Sequence, residues 1–225
     1  MKRILVIFTA LFLIFQTSFA QDVKFGIKVG LTGGLFNAQM SDIKLKTKPN
    51  FSIQAGIEVD VPFSSYFSFR TGLSFVQKAA EVSYTNNLHA DTNVSMVQRF
   101  NNLELPVYIV GRIEFSNESA VYLGVGPSVT VAMTGRLEIG KQLVTTPETT
   151  FDVREKMSFK KDNGSLYNSF NRWDVGINVF LSYKFAQGFT ISANYNKGLL
   201  NLTKIENHKY SSGYIGLTLG FMMGN

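Results

Sequence analysis

The amino-acid sequence predicts an all-β protein, an eight-stranded antiparallel up-and-down transmembrane β-barrel. Three observations predict it. Apolar and polar residues alternate with period two in eight separate runs. The connections between those runs alternate strictly between short and long. The chain also opens with a segment built for export.

Composition narrows the class before any run is examined. The 225 residues include 20 Phe, 9 Tyr and 1 Trp but no Cys, and 45% are hydrophobic. That apolar content excludes an intrinsically disordered chain. The lack of cysteine excludes a disulfide scaffold, a thiolate zinc site, a cysteine nucleophile and a lipidated cysteine. Charged residues make up 17%, well under the roughly 25% of soluble domains.

Residues 1–20 read as a cleaved signal peptide, leaving residues 21–225 as one outer-membrane barrel domain. Lys2 and Arg3 form the basic start, and Ile4 to Phe15 the apolar stretch. Thr17-Ser18-Phe19-Ala20 places small residues at −3 and −1 of a cut before Gln21. The apolar stretch falls short of the about 18 residues of a membrane anchor. Taking Lys2 and Arg3 from the formal charge of +6 leaves +4, too small and too scattered to suggest nucleic acid.

The runs follow in chain order. Val23, Phe25, Ile27, Val29 and Leu31 alternate with Lys24, Gly26, Lys28, Gly30 and Thr32. Phe51 to Val61 carry apolar odd positions against Ser52, Gln54, Gly56, Glu58 and Asp60. Phe67, Phe69, Leu73 and Phe75 oppose Ser68, Arg70, Gly72 and Ser74. Leu103, Leu105, Val107 and Ile109 oppose Asn102, Glu104, Pro106 and Tyr108. Val121, Leu123, Val125, Val129, Val131 and Met133 face away from Tyr122, Gly124, Gly126, Ser128 and Thr130. Trp173 to Phe185 oppose Asp174, Gly176, Asn178, Ser182 and Lys184, with Phe180 the exception on the polar face. Phe189, Ile191, Ala193 and Tyr195 oppose Thr190, Ser192, Asn194 and Asn196. Last, Ile215, Leu217, Leu219 and Phe221 oppose Tyr214, Gly216, Thr218 and Gly220. Runs of about 10–14 residues exceed the 5–6 of soluble strands and suit a tilted membrane-crossing strand.

The short connections are Pro62–Ser65, Ser116–Glu118 and Ala186–Gly188; the long ones are 37–50, 79–98, 136–170 and 199–209. Outer-membrane barrels sort their loops this way, with short turns in the periplasm and long loops outside. Both termini then lie in the periplasm, and the protein resides in the outer membrane of a Gram-negative bacterium.

The polar face carries Lys24, Lys28, Arg70, Arg112, Arg172 and Lys184 against Glu58, Asp60, Glu104 and Asp174, a network of opposite charges suited to a narrow lumen. In a soluble eight-stranded barrel the polar face would point outward instead. Aromatics cluster at the run ends: Phe63, Tyr66, Phe67, Phe115, Phe185 and Phe189 at one rim, Trp173 and Tyr195 towards the other. Such girdles belong at membrane interfaces.

Three segments carry a family resemblance. Asn102-Leu103-Glu104-Leu105-Pro106-Val107, Tyr122-Leu123-Gly124-Val125-Gly126-Pro127 and Tyr195-Asn196-Lys197-Gly198-Leu199-Leu200-Asn201-Leu202 resemble strands of the PorT-like outer-membrane β-barrel proteins of Bacteroidota. The resemblance implies an eight-stranded outer-membrane barrel of mostly unassigned function. The member that names the family is linked to type IX secretion and gliding, a role these motifs do not transfer. The resemblance brings no catalytic residues.

Catalytic chemistry finds little support in the residues. The two histidines, His89 and His208, fall in expected extracellular loops. Some outer-membrane barrels modify lipid A with His, Ser and a carboxylate near the outer edge, which makes Glu206, His208 and Ser211 the one alternative catalytic set. No G-x-S-x-G elbow, H-E-x-x-H motif or EF-hand spacing occurs. No cofactor or metal is expected. An eight-stranded barrel fills with side chains, so the expectation is a plugged lumen in a monomer. Lys44, Lys46 and Lys48 alternate in the first long loop and suit anionic lipopolysaccharide, or else serve as strand-edge protection. The expected role is structural or surface-interacting, through the extracellular loops. The alternatives are a lipid A-modifying enzyme and an accessory subunit of a type IX secretion or gliding complex.

Overall fold

The computed structural model describes residues 23–40, 43–44, 46–85, 92–143, 151–157, 159, 170–204 and 208–224. The export segment expected at 1–20 lies outside the described residues. The described residues form ten strands: β1 (Lys24–Met40), β2 (Ile43–Lys44), β3 (Lys46–Pro62), β4 (Phe67–Thr85), β5 (Thr92–Glu114), β6 (Ala120–Leu143), β7 (Phe151–Met157), β8 (Trp173–Lys184), β9 (Phe189–Gly198) and β10 (His208–Met223). Eight of them close a ring in the order β1-β3-β4-β5-β6-β8-β9-β10, and β10 returns to β1 over sixteen register pairs from Phe25↔Met223 to Met40↔His208. All the pairings are antiparallel. The fold is therefore a closed, eight-stranded, antiparallel barrel, with β2 and β7 as short additions on β1 and β6.

Closure joins β10 to β1, so the backbone groups of the ring pair from strand to strand instead of facing lipid as an open edge. The side chains of the ring are inside out relative to a soluble barrel. Outward Leu217 and Val29 are 65% and 61% exposed, whereas inward Asp60 and Glu104 are 0% and 1% exposed. The apolar belt from Trp173 to Tyr183 on β8 spans roughly 25 Å at about 3.3 Å per residue and the usual barrel tilt, the height of a membrane-facing band.

The three short turns lie at the same end as Lys24 and Met223. In the turn between β8 and β9, Gly188 takes φ 90° and donates its N–H to the Phe185 carbonyl at 2.9 Å. Its carbonyl then accepts from the Met222 N–H at 2.8 Å, tying the turn to the end of β10. Glycine takes that left-handed conformation without a Cβ penalty.

At the other end the strands outrun their expected lengths. β4, β5 and β6 have 19, 23 and 24 residues, so much of the expected loops 37–50, 79–98 and 136–170 is strand. The barrel continues past its apolar belt, and there the faces exchange character. A bulge does this on β6. Asn101 pairs with Thr134 but Asn102 pairs with Ala132, which leaves Met133 over. Because side chains alternate with period two, one extra residue swaps the faces. Below Met133 the even positions Tyr122, Ser128 and Thr130 are buried; above it the odd position Leu137 is buried. A second irregularity, between Asn50 and Gln54 of β3, lies opposite β4 at a similar level.

The outer extension therefore has an apolar interior. Phe36, Phe100, Phe170 and Tyr210 are buried together with Ala38, Ala80, Leu137, Met157 and Leu202. Ring centroids lie 5.7 Å apart for Phe36 and Phe100, 5.7 Å for Phe100 and Phe170, and 5.2 Å for Phe170 and Tyr210, with edge-to-face tilts. Each such pair contributes about 0.5–1.5 kcal/mol beyond its buried area. The segment from Leu199 to Lys204 folds over this end, its Leu202 N–H donating to the Tyr210 carbonyl and the Leu202 carbonyl accepting from Asn171 N–H, each at 2.7 Å.

Candidate functional site

Three layers fill the barrel from the short-turn end outward: an ion cluster, a carboxylate–amide cluster and the aromatic plug just described. In the first, the even positions of β3 turn Glu58 and Asp60 inward, and register sets Arg70 of β4 opposite Asp60. Arg70 Nε lies 3.2 Å from Asp60 Oδ1 and its Nη1 3.6 Å from Glu58 Oε1, while Lys28 Nζ lies 3.2 Å from Glu58 Oε2. Ser68 Oγ donates to Asp60 Oδ1 at 2.7 Å. The guanidinium carbon of Arg70 sits 4.8 Å from the Tyr122 ring centroid and 5.1 Å from that of Phe180. Phe180 itself packs over Gly124, its register partner, where a Cβ would run into the ring. Asp60 Oδ2, Arg70 Nη2 and Tyr122 Oη keep no protein hydrogen bond, which makes this the least satisfied layer of the lumen.

Glu104 centres the second layer. Its Oε1 accepts from Tyr214 Oη and from Asn178 Nδ2, each at 2.8 Å, and its Oε2 from Thr130 Oγ1 at 3.3 Å. Asn178 also donates to Tyr108 Oη at 3.1 Å and accepts from Ser128 and Asn196. Lys78 donates from Nζ to Asn196 Oδ1 at 3.2 Å and lies 5.3 Å from the Tyr214 ring centroid. Asp174 accepts from Ser212 Oγ at 3.3 Å and from the Leu200 N–H at 3.4 Å. A carboxylate that accepts several bonds tolerates burial that a bare one would not.

Between these layers lies a cavity of about 20 Å³, walled by Lys28, Glu58, Arg70, Glu104, Tyr108 and Tyr214. That is room for about one water molecule. A hollow of about 710 Å³ opens at the short-turn end beside Lys24, Glu114, Lys184 and Met222. The lumen is wide at its short-turn mouth and filled in its middle.

The structure distributes the expected lumen charges unevenly. Lys24, Lys28, Glu58, Asp60, Arg70, Glu104 and Asp174 are buried or half-buried inside the ring. Arg112 and Lys184 sit at the short-turn rim, where Arg112 Nη1 is 3.5 Å from Glu114 Oε1 and its Nε donates to the Ser65 carbonyl at 2.9 Å. Arg172 is a correction. It precedes β8, is exposed, and its guanidinium carbon lies 5.2 Å from the Phe159 ring centroid, outside the lumen. The alternation that placed Arg172 with Asp174 starts only at Trp173, where β8 begins to pair with β6.

Lys78, Asn178, Asn196 and Tyr214 complete the network without having been singled out as site residues. Lys78 stands eight residues beyond Arg70, an even spacing that keeps it on the inward face. The apolar alternation of the third run ends at Phe75, so the sequence pattern does not extend to Lys78. The aromatic residues Phe63, Tyr66, Phe67, Phe115, Phe185 and Phe189 are exposed around the short-turn rim, and Phe63 packs on Phe69 at 4.7 Å. Trp173 and Tyr195 also point outward, joined by Phe51, which is 82% exposed beside the β3 irregularity.

Two other sets fare differently. His208 and Ser211 lie three residues apart on an unbroken stretch of β10, which places them on opposite faces; Glu206 lies outside the described residues. Of the loop lysines, Lys48 is exposed and in register with Glu81 of β4. The side chains of Lys44 and Lys46 lie outside the described residues.

The model of the outer membrane protein beta-barrel domain matches residues 19–204. The chain belongs to that family. As an outer-membrane barrel it crosses the membrane with strands, and the apolar belt is its lipid-facing surface. No curated protein matches the sequence. Among solved structures, the outer membrane protein OprG from Pseudomonas aeruginosa is similar at 14% identity and a TM-score of 0.48, over 91% of this chain and 98% of OprG. Ail, the attachment invasion locus protein of Yersinia pestis, is similar at 13% identity and a TM-score of 0.40, over 90% of this chain and 100% of Ail. The outer membrane protease OmpT from Escherichia coli is similar at 7% identity and a TM-score of 0.37, over 92% of this chain and 98% of OmpT.

Proposed function

We propose that this outer-membrane barrel is a non-enzymatic, non-conducting protein that acts through the outer surface of its extracellular extension. The observation that carries the proposal is the apolar plug of Phe36, Phe100, Phe170 and Tyr210, which makes the extension a closed, cored body standing above the lipid belt. With the lumen filled beneath it, the extension offers partners its outside surface only. The bonding of Glu104 and Asp174 supports a structural use of the lumen charges, since their acceptor sites are taken by neighbouring side chains and backbone. The PorT-like motif segments support a Bacteroidota-type origin, and residues 1–20 support export by a signal peptide cut before Gln21.

The test uses an epitope tag in place of residues 144–150, between β6 and β7, in a strain lacking the native gene. Antibody should label intact cells, and the tagged barrel should still migrate differently before and after boiling. Purified protein in planar bilayers should pass no steady current. Labelling only after lysis, or a stable ohmic pore, would overturn the proposal.

A further inference from the structure

Two pairs of cations stand on neighbouring segments at the outer end of the barrel, one on β6 and β7 and the other around Phe159 just past β7. Arg136 of β6 stands in register with Lys156 of β7, and both side chains are exposed. On the other side of Arg136 the register partner is Arg99 of β5, so three cations stand abreast on three neighbouring strands. Like charges directly opposite one another on a sheet are destabilising unless an anion lies between them. Arg99 is diverted: its Nη1 donates to Gln77 Oε1 at 3.1 Å and to Ser52 Oγ at 3.4 Å. Just past the end of β7, Arg172 and Lys204 converge on Phe159. The guanidinium carbon of Arg172 is 5.2 Å from the ring centroid, and Lys204 Nζ donates to the Phe159 carbonyl at 3.4 Å. Glu138 follows Arg136 by two positions on the same strand face, and its own register partner on β7 is Arg154.

The position of the cluster selects the anion. Immediately below it, at the level where β6 changes partner from β8 to β7, Met133, Trp173, Leu199 and Leu200 are exposed on the outer surface. A ligand seated here meets apolar side chains on the membrane side and four cations on the water side. That is the profile of an amphiphile with a phosphorylated head and acyl tails, not of a soluble polyanion. We propose that Arg136, Lys156, Arg172 and Lys204 form a binding site for the phosphorylated headgroup of an outer-leaflet glycolipid of the lipid A type. Acyl chains would lie along Met133, Trp173, Leu199 and Leu200. The inference needs the barrel's outer-membrane placement but not the surface-interaction role proposed above, so either can fail alone.

The experiment measures binding of bisphosphorylated lipid A to the purified full-length barrel in mild detergent by native mass spectrometry. The probes for comparison are dephosphorylated lipid A and a soluble sulfated polysaccharide. Each Lys or Arg near an anionic lipid surface adds to the attraction, so the pairs R136Q/K156Q and R172Q/K204Q should each weaken phosphorylated lipid A about tenfold or more. Dephosphorylated lipid A should bind weakly and equally to all variants. E138Q should bind phosphorylated lipid A no more weakly than the native protein. Folding of each variant is checked by its boiling-dependent gel shift, and should one pair fail to fold the other pair carries the test. Unchanged affinity in a folded pair would overturn the site. Equal or tighter binding of the soluble polyanion at these residues would overturn the lipid assignment.

Discussion

The Tyr210 hydroxyl donates a hydrogen bond of 2.5 Å to Gln98 Oε1 across the outer mouth of the barrel. The two residues stand 112 positions apart in the chain, on β10 and β5, which are not neighbours in the ring. The bond thus spans the interior, and its tyrosine ring is also part of the aromatic plug. The outer end is braced from inside.

Removal of the plug should loosen that end without opening a pore. Phe100→Ala deletes a ring that contacts Phe36, Phe170 and Tyr210, and such core truncations typically cost about 3–5 kcal/mol. The urea midpoint of the gel shift should fall accordingly. Bilayer recordings of the variant should still show no steady current, because the Arg70 and Glu104 layers remain. A stable pore would show that the plug alone seals the barrel.

Loss of Arg70 should be severe and repairable. Arg70→Met leaves Asp60 and Glu58 buried with fewer partners, a change that typically costs about 3–5 kcal/mol. Adding Asp60→Asn and Glu58→Gln should recover much of it. Folding yields in detergent and urea midpoints measure both; failure of the added substitutions to restore stability would refute charge as the cause.

Gly124 and Phe180 should behave as a coupled pair. Gly124→Ala puts a methyl group into the Phe180 ring, which also contacts Tyr108 at 4.8 Å and Arg70 at 5.1 Å. Overpacking of this kind costs roughly 1–3 kcal/mol. Phe180→Leu in the same chain should return part of that loss, and a double-mutant cycle on urea midpoints reads the coupling. Additive effects would mean the ring simply moves aside.

His208→Ala should leave lipid A unaltered. His208 and Ser211 face opposite ways on β10, so no hydrogen-bonded relay joins them through that strand. Mass spectrometry of lipid A from strains with and without the variant checks this, and a change in acylation would revive the enzyme alternative. The accessory-subunit alternative predicts instead a stoichiometric partner on purification in mild detergent.

The membrane-spanning part of this chain was legible because lipid and lumen make opposite demands on alternate residues. Val121 to Met133 shows it, with every apolar odd position outward until the bulge. The even parity of Arg70, Glu104 and Asp174 puts them on the inward face, where the structure has them buried. The outer extension was not legible. Above the bulge the interior becomes apolar and the exterior polar, so Phe36, Phe100 and Leu137 follow the opposite convention from Phe25, Leu103 and Leu123. The bulge leaves no mark in the sequence, so that reversal reads as the end of a strand and the extensions read as loops.

Local alternation and turn spacing were enough to determine an eight-stranded outer-membrane barrel and the sign of each face across its membrane-crossing part, because these depend on neighbours along the chain. Only the tertiary structure decided which charges meet. Arg70 with Asp60 and Glu58, Glu104 with Asn178 and Tyr214, and Arg136 beside Lys156 are set by inter-strand register and by closure of the ring. Such pairings join residues far apart in the chain, and a shift of one residue in one strand would change them all.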